Sequence, residues 1–465
     1  MPLAIGSEHE LVFTDLLANG QAVGRVDAQV VFVWGPLPDE RARIRIVETK
    51  KSYAVGLLLD LLETSPHRTT PFCPVFGTCG GCQVQHLAYD AQLAWKTRVV
   101  RDALERLGGF RNVDVGPTIG MDEPRAYRNK MALVVRARDR RIDFGFYQMR
   151  SHDFVPIAGC PVVLPELDDQ IAALRAVVSE PSIAETFGDV MHAVARAGKS
   201  TGESVLTLTT VSPSEKLARA ADAIASRAEG LVGLSNSFAP AGANAILGRK
   251  HRQLWGRAEM EERIPIGAGK TLRYRVSAAS FFQINTEIVA KVFAAMSDLE
   301  MPSQVVDLYC GAGTFSMWFA AGGARVVGIE DNPAAIREAQ ANAALNALAE
   351  RTSFLIGRVE EALARSPARE ALEKADLAFL DPPRKGCEPR ALDMLSAAKV
   401  PRIWYLSCNP ATLARDLARL RDGGYRLESV QPYDMFPQTG HVEALVTMRR
   451  QEQTGGETHS GYGRP

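Results

Sequence analysis

The chain has 465 residues, 46% of them hydrophobic and 23% charged, with 54 basic side chains balanced by 54 acidic ones. That length exceeds one ordinary core, so two or three domains are expected, and the absence of any apolar run near roughly 20 residues excludes a membrane span. A formal charge of zero excludes a chain-wide polyanion-binding field, so contact with nucleic acid has to rest on local patches. The start, MPLAIGSEHE, carries acids and no apolar h-region, which predicts a cytoplasmic protein. Seven cysteines, an odd number, argue for metal or catalytic use over a disulfide framework.

From the N-terminus, short strands are predicted at His9 to Phe13, Gly24 to Val26, Gln29 to Val33, Arg41 to Val47 and Tyr53 to Leu59. Five in succession suggest a small barrel of the oligonucleotide-binding kind over residues 1–64. Arg41, Arg43 and Arg45 alternate with Ala42, Ile44 and Ile46, which puts three guanidiniums on one face. Nine acids against six bases in the same stretch make a solvated outer face at least as good a reading as an RNA-binding one. A loop dense in Cys and Gly follows at Pro71 to Gln85, then an amphipathic helix at Ala88 to Leu107 closed by Gly108 and Gly109. Residues 125–150 alternate as strands and carry eight bases against two acids. Within them Arg125, Arg128, Lys130, Arg136, Arg138, Arg140 and Arg141 are candidates for phosphate contact. Residues 165–265 read as mixed helix and strand without a chemical signature.

From about Gln304 the pattern becomes apolar strand, Gly-rich turn and helix, repeated: Val305 to Tyr309, Arg325 to Ile329, Leu377 to Leu380 and Ile403 to Leu406. This predicts an α/β fold, a Rossmann-like parallel sheet covered on both faces, over 271–450, after a central α+β domain at 65–270. The helix at 88–107 is expected to pack on that catalytic domain. The polar, Gly-rich tail 451–465 is expected to be disordered.

Chemistry concentrates at the carboxyl ends of these strands, where such sheets bind ligands. Asp307-Leu308-Tyr309-Cys310-Gly311-Ala312-Gly313-Thr314-Phe315 is a Gly turn opening a helix, and Glu330 ends the next strand, placed to accept hydrogen bonds from ribose hydroxyls. An NAD site would look similar, but Asp307 and Asp381 end neighbouring strands. Two acids there suit a cationic ligand without phosphate, which S-adenosylmethionine is. Phe379-Leu380-Asp381-Pro382-Pro383-Arg384 gives that edge a rigid rim. Tyr405-Leu406-Ser407-Cys408-Asn409-Pro410 then sets a thiol on the same edge. A cysteine beside a strand is most often a small buried hydrophobe, but C5 of uracil accepts a methyl group only after a nucleophile adds at C6, and a thiolate suits that step. Removing the C5 proton afterwards needs a base; the C-terminal strand predicted from Gln438 offers Glu443 and His441.

In the order DLYCGAGTF, FLDPPRKG, YLSCNP and HVEAL, these motifs closely resemble the RNA uracil-5-methyltransferases, over nearly the whole chain. The resemblance implies that Cys408 is the nucleophile and Glu443 the base. It also implies that Gln283, Tyr309, Glu330 and Asp381 hold S-adenosylmethionine. A further cofactor contact of some members, an Asn or Asp after the third strand, falls on Arg358. By spacing alone Cys73, Cys79, Cys82 and Cys160 could hold zinc or an iron–sulfur cluster. The resemblance favours a 4Fe-4S cluster on them. Radical chemistry is not expected, because the first three cysteines lack the tighter spacing of radical enzymes and four thiolates leave no iron open. The cluster is read as structural, pinning the basic strands beside the RNA path. A barrel resembling a TRAM domain, together with the cysteines, points to 23S ribosomal RNA as substrate; the chain is expected to work as a monomer. Transfer RNA is the alternative substrate, and a non-catalytic RNA-binding assembly factor the alternative of another class.

Overall fold

The computed structural model describes residues 2–138, 141–240, 246–248 and 250–451. Arg140 and the tail expected from 451 onward, apart from Gln451 itself, lie outside the described residues.

Strands Glu8–Leu16, Ala22–Val26, Gln29–Val33, Arg41–Thr49 and Tyr53–Glu63 form a closed barrel. Alternation sorts the fourth strand as the sequence requires: Ala42, Ile44 and Ile46 are buried, while the three arginines face out. Each of those arginines is spoken for. Arg41 pairs with Glu63 at 2.8 Å, Arg45 with Glu8 at 2.7 Å, and Arg43 with Asp60. The stripe is an ion-paired outer face and not a free cationic one. Such exposed pairs add about 0–1 kcal/mol each.

Seven strands between Lys130 and Gly256 make a mixed central sheet. A hairpin of Glu259–Pro265 and Thr271–Ser277 then leads into the catalytic sheet. There Thr352–Ile356, Arg325–Glu330, Gln304–Leu308, Leu377–Leu380 and Arg402–Ser407 run parallel in that spatial order. Glu443–Arg450 is inserted antiparallel beside Arg402–Ser407, with Tyr425–Tyr433 at the edge beyond it. The central strands are apolar on both faces, because both are covered. Val306, Leu308, Ala378, Leu380, Ile403 and Tyr405 enter one core, while Val305, Phe379, Trp404 and Leu406 enter the other.

Helix Tyr89–Arg106 joins the barrel to this sheet. Its Trp95 packs into the barrel core and donates to the Leu16 carbonyl at 3.2 Å, while Val100 and Leu104 pack with Leu413 and Leu417. The chain after it covers the sheet edge, Gly116 and Ile119 donating to the carbonyls of Val430 and Pro432. Among the described residues no helix is long and apolar enough to cross a membrane.

One predicted element differs. The C-terminal strand starts at Glu443, not at Gln438. Residues 438–442 are a turn in which Gln438 takes a φ of 69°, and its carbonyl accepts N–H bonds from Gln83 and Val84 of the cysteine loop at 3.0 and 3.1 Å. A strand ladder and this crossing cannot share one carbonyl geometry, so the ladder gives way.

Candidate active site

Strand ends assemble the site. Asp307 is buried near the end of its strand and accepts from Ser316 Oγ, while its Oδ1 has no hydrogen-bond partner. Tyr309 holds a φ of 67°, a left-handed conformation costly for a bulky residue, so the turn is over-determined by what surrounds it. Gly313 follows at a φ of 84° as the N-cap of helix Thr314–Ala321, where an added Cβ would lie 3.2 Å from that of Ala339. Glu330 accepts from the Gly311 and Asn332 N–H groups at 3.1 and 2.9 Å, which fixes its carboxylate beside the Gly turn. Asp381 accepts from Gln283 Nε2 at 3.0 Å, which joins two of the predicted cofactor residues.

Carboxylates crowded in a half-dry cleft resist ionisation. Burial, with Glu330 adding to it, pushes Asp307 up to about 7; burial, then Asp307, pushes Asp381 up to about 8. Burial also raises Glu330. An unpaired buried oxygen and three reluctant acids form a cluster that a nearby cation would relieve.

Cys408 directly follows strand Arg402–Ser407, and Glu443 opens the strand paired with it. The last pair of that ladder is Ser407 with Ala444, so Cys408 and Glu443 are the next residues at the same sheet edge, close enough for the Glu443 charge to act on the thiol. Glu443 is 3% exposed, and burial followed by Asp381 raises its carboxyl well above the ordinary range, against the pull of Arg384. Burial, then Glu443 and Asp381, pushes the Cys408 thiol up to about 12, again opposed by Arg384. The choice between the two bases left open by sequence narrows here. His441 is pushed down to about 4 by burial and by Arg384, Lys96 and Arg128, and its Nε2 accepts from Arg384 Nη2 at 3.0 Å, so it is already occupied. Arg358 is exposed and paired with Glu360 at 2.5 Å, turned to its own short helix Val359–Ala362.

Several residues that serve the site carried no signal in the sequence. Asn129 donates to the Gln283 carbonyl at 2.8 Å and Arg196 to that of Ser280 at 2.8 Å, so the central domain grips the loop that presents Gln283. Lys96 and Asp434, both fully buried, form an ion pair under the loop leading to Glu443.

Cys73, Cys79, Cys82 and Cys160 line one cavity of about 480 Å³. Its wall is cut to fit: a Cβ on Gly81 would lie 3.5 Å from Cys79 Sγ, and one on Gly80 would meet the Tyr147 carbonyl at 3.2 Å. Burial raises the Cys79, Cys82 and Cys160 thiols, the last to about 11, and thiols of this kind ionise when a metal takes them. Among the described residues, no three His, Cys, Asp or Glu side chains are drawn close enough for one metal ion. Tetrahedral zinc would need sulfurs about 3.8 Å apart, from a Zn–S bond near 2.3 Å.

The basic stretch divides. Arg125, Arg138 and Arg141 are exposed, and Arg136 lies 5.5 Å over the Phe154 ring. Arg128 and Lys130 turn inward to line the cysteine cavity, Arg128 donating to Tyr127 Oη at 3.0 Å, and burial with Arg196 pushes Lys130 down to about 7. Those two are not surface phosphate contacts.

Comparison with known proteins agrees with this geometry. Residues 243–451 match the family model for tRNA (uracil-5-)-methyltransferases, and residues 2–59 match the TRAM domain. A protein of Halalkalibacterium halodurans named as an uncharacterized RNA methyltransferase is 38% identical over 94% of this chain and 96% of its own. One from Gloeobacter violaceus, similarly named, is 39% identical over 94% and 95%. The crystal structure of the Pyrococcus abyssi tRNA (uracil-54, C5)-methyltransferase in complex with S-adenosyl-L-homocysteine superposes with a TM-score of 0.75 at 26% identity, covering 95% of this chain and all of that one. Its Rossmann-like sheet with a TRAM barrel, its motif-bearing strand ends and its near full-length relatives place this chain in the RNA (uracil-5-)-methyltransferase family, as an S-adenosylmethionine-dependent enzyme.

Proposed function

We propose that the enzyme methylates C5 of a uridine in 23S ribosomal RNA by covalent catalysis, with Cys408 as nucleophile and Glu443 as base. The observation that carries this is the placement of Cys408 just past the strand end that pairs with the Glu443 strand, where the thiol feels both Glu443 and Asp381. S-adenosylmethionine supplies an electrophilic methyl group when bound. Glu330 would hold its ribose, Tyr309 would contribute from the Gly turn, and Asp381 with Gln283 would face its cationic end. The Cys408 sulfur bonds to C6, and the electron pair moves toward O4 as an enolate. C5, made nucleophilic by that addition, would accept the methyl group the cofactor supplies. Glu443 removes the C5 proton, the C5–C6 double bond re-forms and the thiolate leaves. The uridine has to be unstacked to reach Cys408, which makes a loop or an openable helix the substrate.

A second substrate has an observation in its favour. The likeness to the archaeal transfer-RNA enzyme extends over the barrel as well as the catalytic sheet, so a barrel by itself does not separate ribosomal from transfer RNA. One experiment addresses both points: 23S ribosomal RNA and transfer RNA, each transcribed with 5-fluorouridine, are incubated with enzyme and S-adenosylmethionine. A denaturation-resistant adduct is expected with the ribosomal RNA, since fluorine cannot leave as a proton does, and none with Cys408→Ala. An adduct formed by Cys408→Ala refutes the nucleophile; an adduct with transfer RNA alone refutes the substrate.

Cys73, Cys79, Cys82 and Cys160 are proposed to hold a 4Fe-4S cluster with a structural role, a reading supported by the four cysteines lining one cavity and by the family resemblance. Protein purified without oxygen should contain about four irons and four acid-labile sulfides per chain. Stoichiometric zinc in fully active protein would refute the cluster.

A further inference from the structure

The site poses a problem for its own nucleophile. With its thiol pushed up to about 12 by burial, Glu443 and Asp381, Cys408 carries almost no thiolate at neutral pH. Among the charged groups that face it, one is a cation: Arg384.

Arg384 is exposed at the rim, directly after the two prolines that follow Asp381. Its carbonyl accepts from Asn409 Nδ2 at 2.9 Å and from Thr412 Oγ1 at 3.2 Å, so its backbone is tied to the residue next to Cys408 and to the first turn of helix Pro410–Asp422. The guanidinium is held at its other end, Nη2 donating to His441 Nε2 at 3.0 Å. A guanidinium has no acceptor, so His441 accepts, and its ring must be neutral with the proton on Nδ1. The groups around the ring keep it so, for Arg384, Lys96 and Arg128 all face it and all are positive. Glu443 faces the same guanidinium, with Asp381 as its other charged neighbour.

Resting on the reading of Cys408 as nucleophile, we propose that Arg384 is the cation that activates Cys408, and that His441 is a positioning residue that holds the guanidinium beside the sulfur. The S–H proton passes to water before the site closes, and the electron pair left on sulfur forms the S–C6 bond. Arg384 gains force when RNA covers the rim. Water then leaves, and the attraction between guanidinium and thiolate rises as the dielectric falls. The cofactor's positive charge beside Asp381 removes part of the opposing field at the same time.

The test is the pH dependence of Cys408 itself, measured without RNA. Full-length protein loaded with S-adenosylhomocysteine is treated with iodoacetamide across pH 6–10, and alkylation of the Cys408 peptide is followed by mass spectrometry. Arg384→Gln is expected to move the alkylation profile up by about one pH unit, about tenfold slower at neutral pH. Arg384→Lys should restore most of the rate. His441→Phe should give a smaller upward shift, and His441→Gln, which retains an acceptor, should rescue it. The same order should appear in the pH profile of adduct formation with 5-fluorouridine RNA. Unchanged alkylation in Arg384→Gln, together with a raised KM for RNA and a shallower salt dependence, would make Arg384 a phosphate contact only and overturn the proposal. Equal shifts in His441→Phe and His441→Gln would remove the positioning role. If wild-type enzyme alkylates normally but forms no adduct at Cys408, the nucleophile reading fails, and the Arg384 measurement still stands as a fact about the thiol.

Discussion

A Glu443→Gln enzyme is expected to methylate one uridine and then stop, still bonded to its RNA. The substitution keeps shape and volume at a position 3% exposed, so cofactor and RNA should bind as before. Addition of Cys408 and methyl transfer do not require the carboxylate; only removal of the C5 proton does. Methyl label should therefore accumulate in a denaturation-resistant protein–RNA adduct, with turnover down by about 10²–10⁴-fold, the usual worth of a general base. The strong upward push on Glu443 fits that task, because a reluctant acid is a strong base once ionised. Normal turnover by this variant, or its failure before any label reaches the adduct, would transfer the base's role elsewhere.

The largest effect on stability is expected from Lys96→Met. Lys96 Nζ lies 2.5 Å from Asp434 Oδ1 and donates to the Phe436 carbonyl at 3.1 Å, with both side chains fully buried. Asp434 Oδ2 has no hydrogen-bond partner, so Lys96 is the main compensation for that carboxylate. Removing it strands a buried charge, at a cost of about 3–5 kcal/mol. Replacing both partners, Lys96→Met with Asp434→Leu, should recover much of the loss, because two apolar groups leave nothing unpaired. Urea unfolding of the two variants beside the unsubstituted protein measures this. A single-variant loss under about 1 kcal/mol would mean that water reaches Asp434.

The parts of the fold written in local pattern were legible in the sequence. Alternation at Arg41–Ile46 fixed which side of the barrel strand faces in, and apolar runs such as Leu377–Leu380 marked strands buried on both faces. Glu330, Asp381 and Cys408 announced themselves because each sits where a strand ends. What pattern cannot carry is the partner. Arg41, Arg43 and Arg45 read as a basic face until their acids were placed across the barrel. Lys130 and Arg128 read as surface charge, yet their strand turns them toward the cysteine cavity. Lys96 and Asp434 are 338 positions apart and nothing local links them. His441 and Glu443 could be told apart only by seeing which one Arg384 already holds.

The position of the Glu443 strand also bears on how the enzyme is made. It is the last strand in chain order, yet it sits inside the sheet, between Arg402–Ser407 and Tyr425–Tyr433. The two earlier strands leave a ribosome with a gap between them and two unpaired edges. Until the chain has been synthesised past Arg450 there is no strand to fill that gap, and no Glu443 carboxylate near Cys408. If Glu443 is the base proposed above, a nascent chain can form the parallel strands that carry Glu330 and Asp381 before it can complete a catalytic cycle.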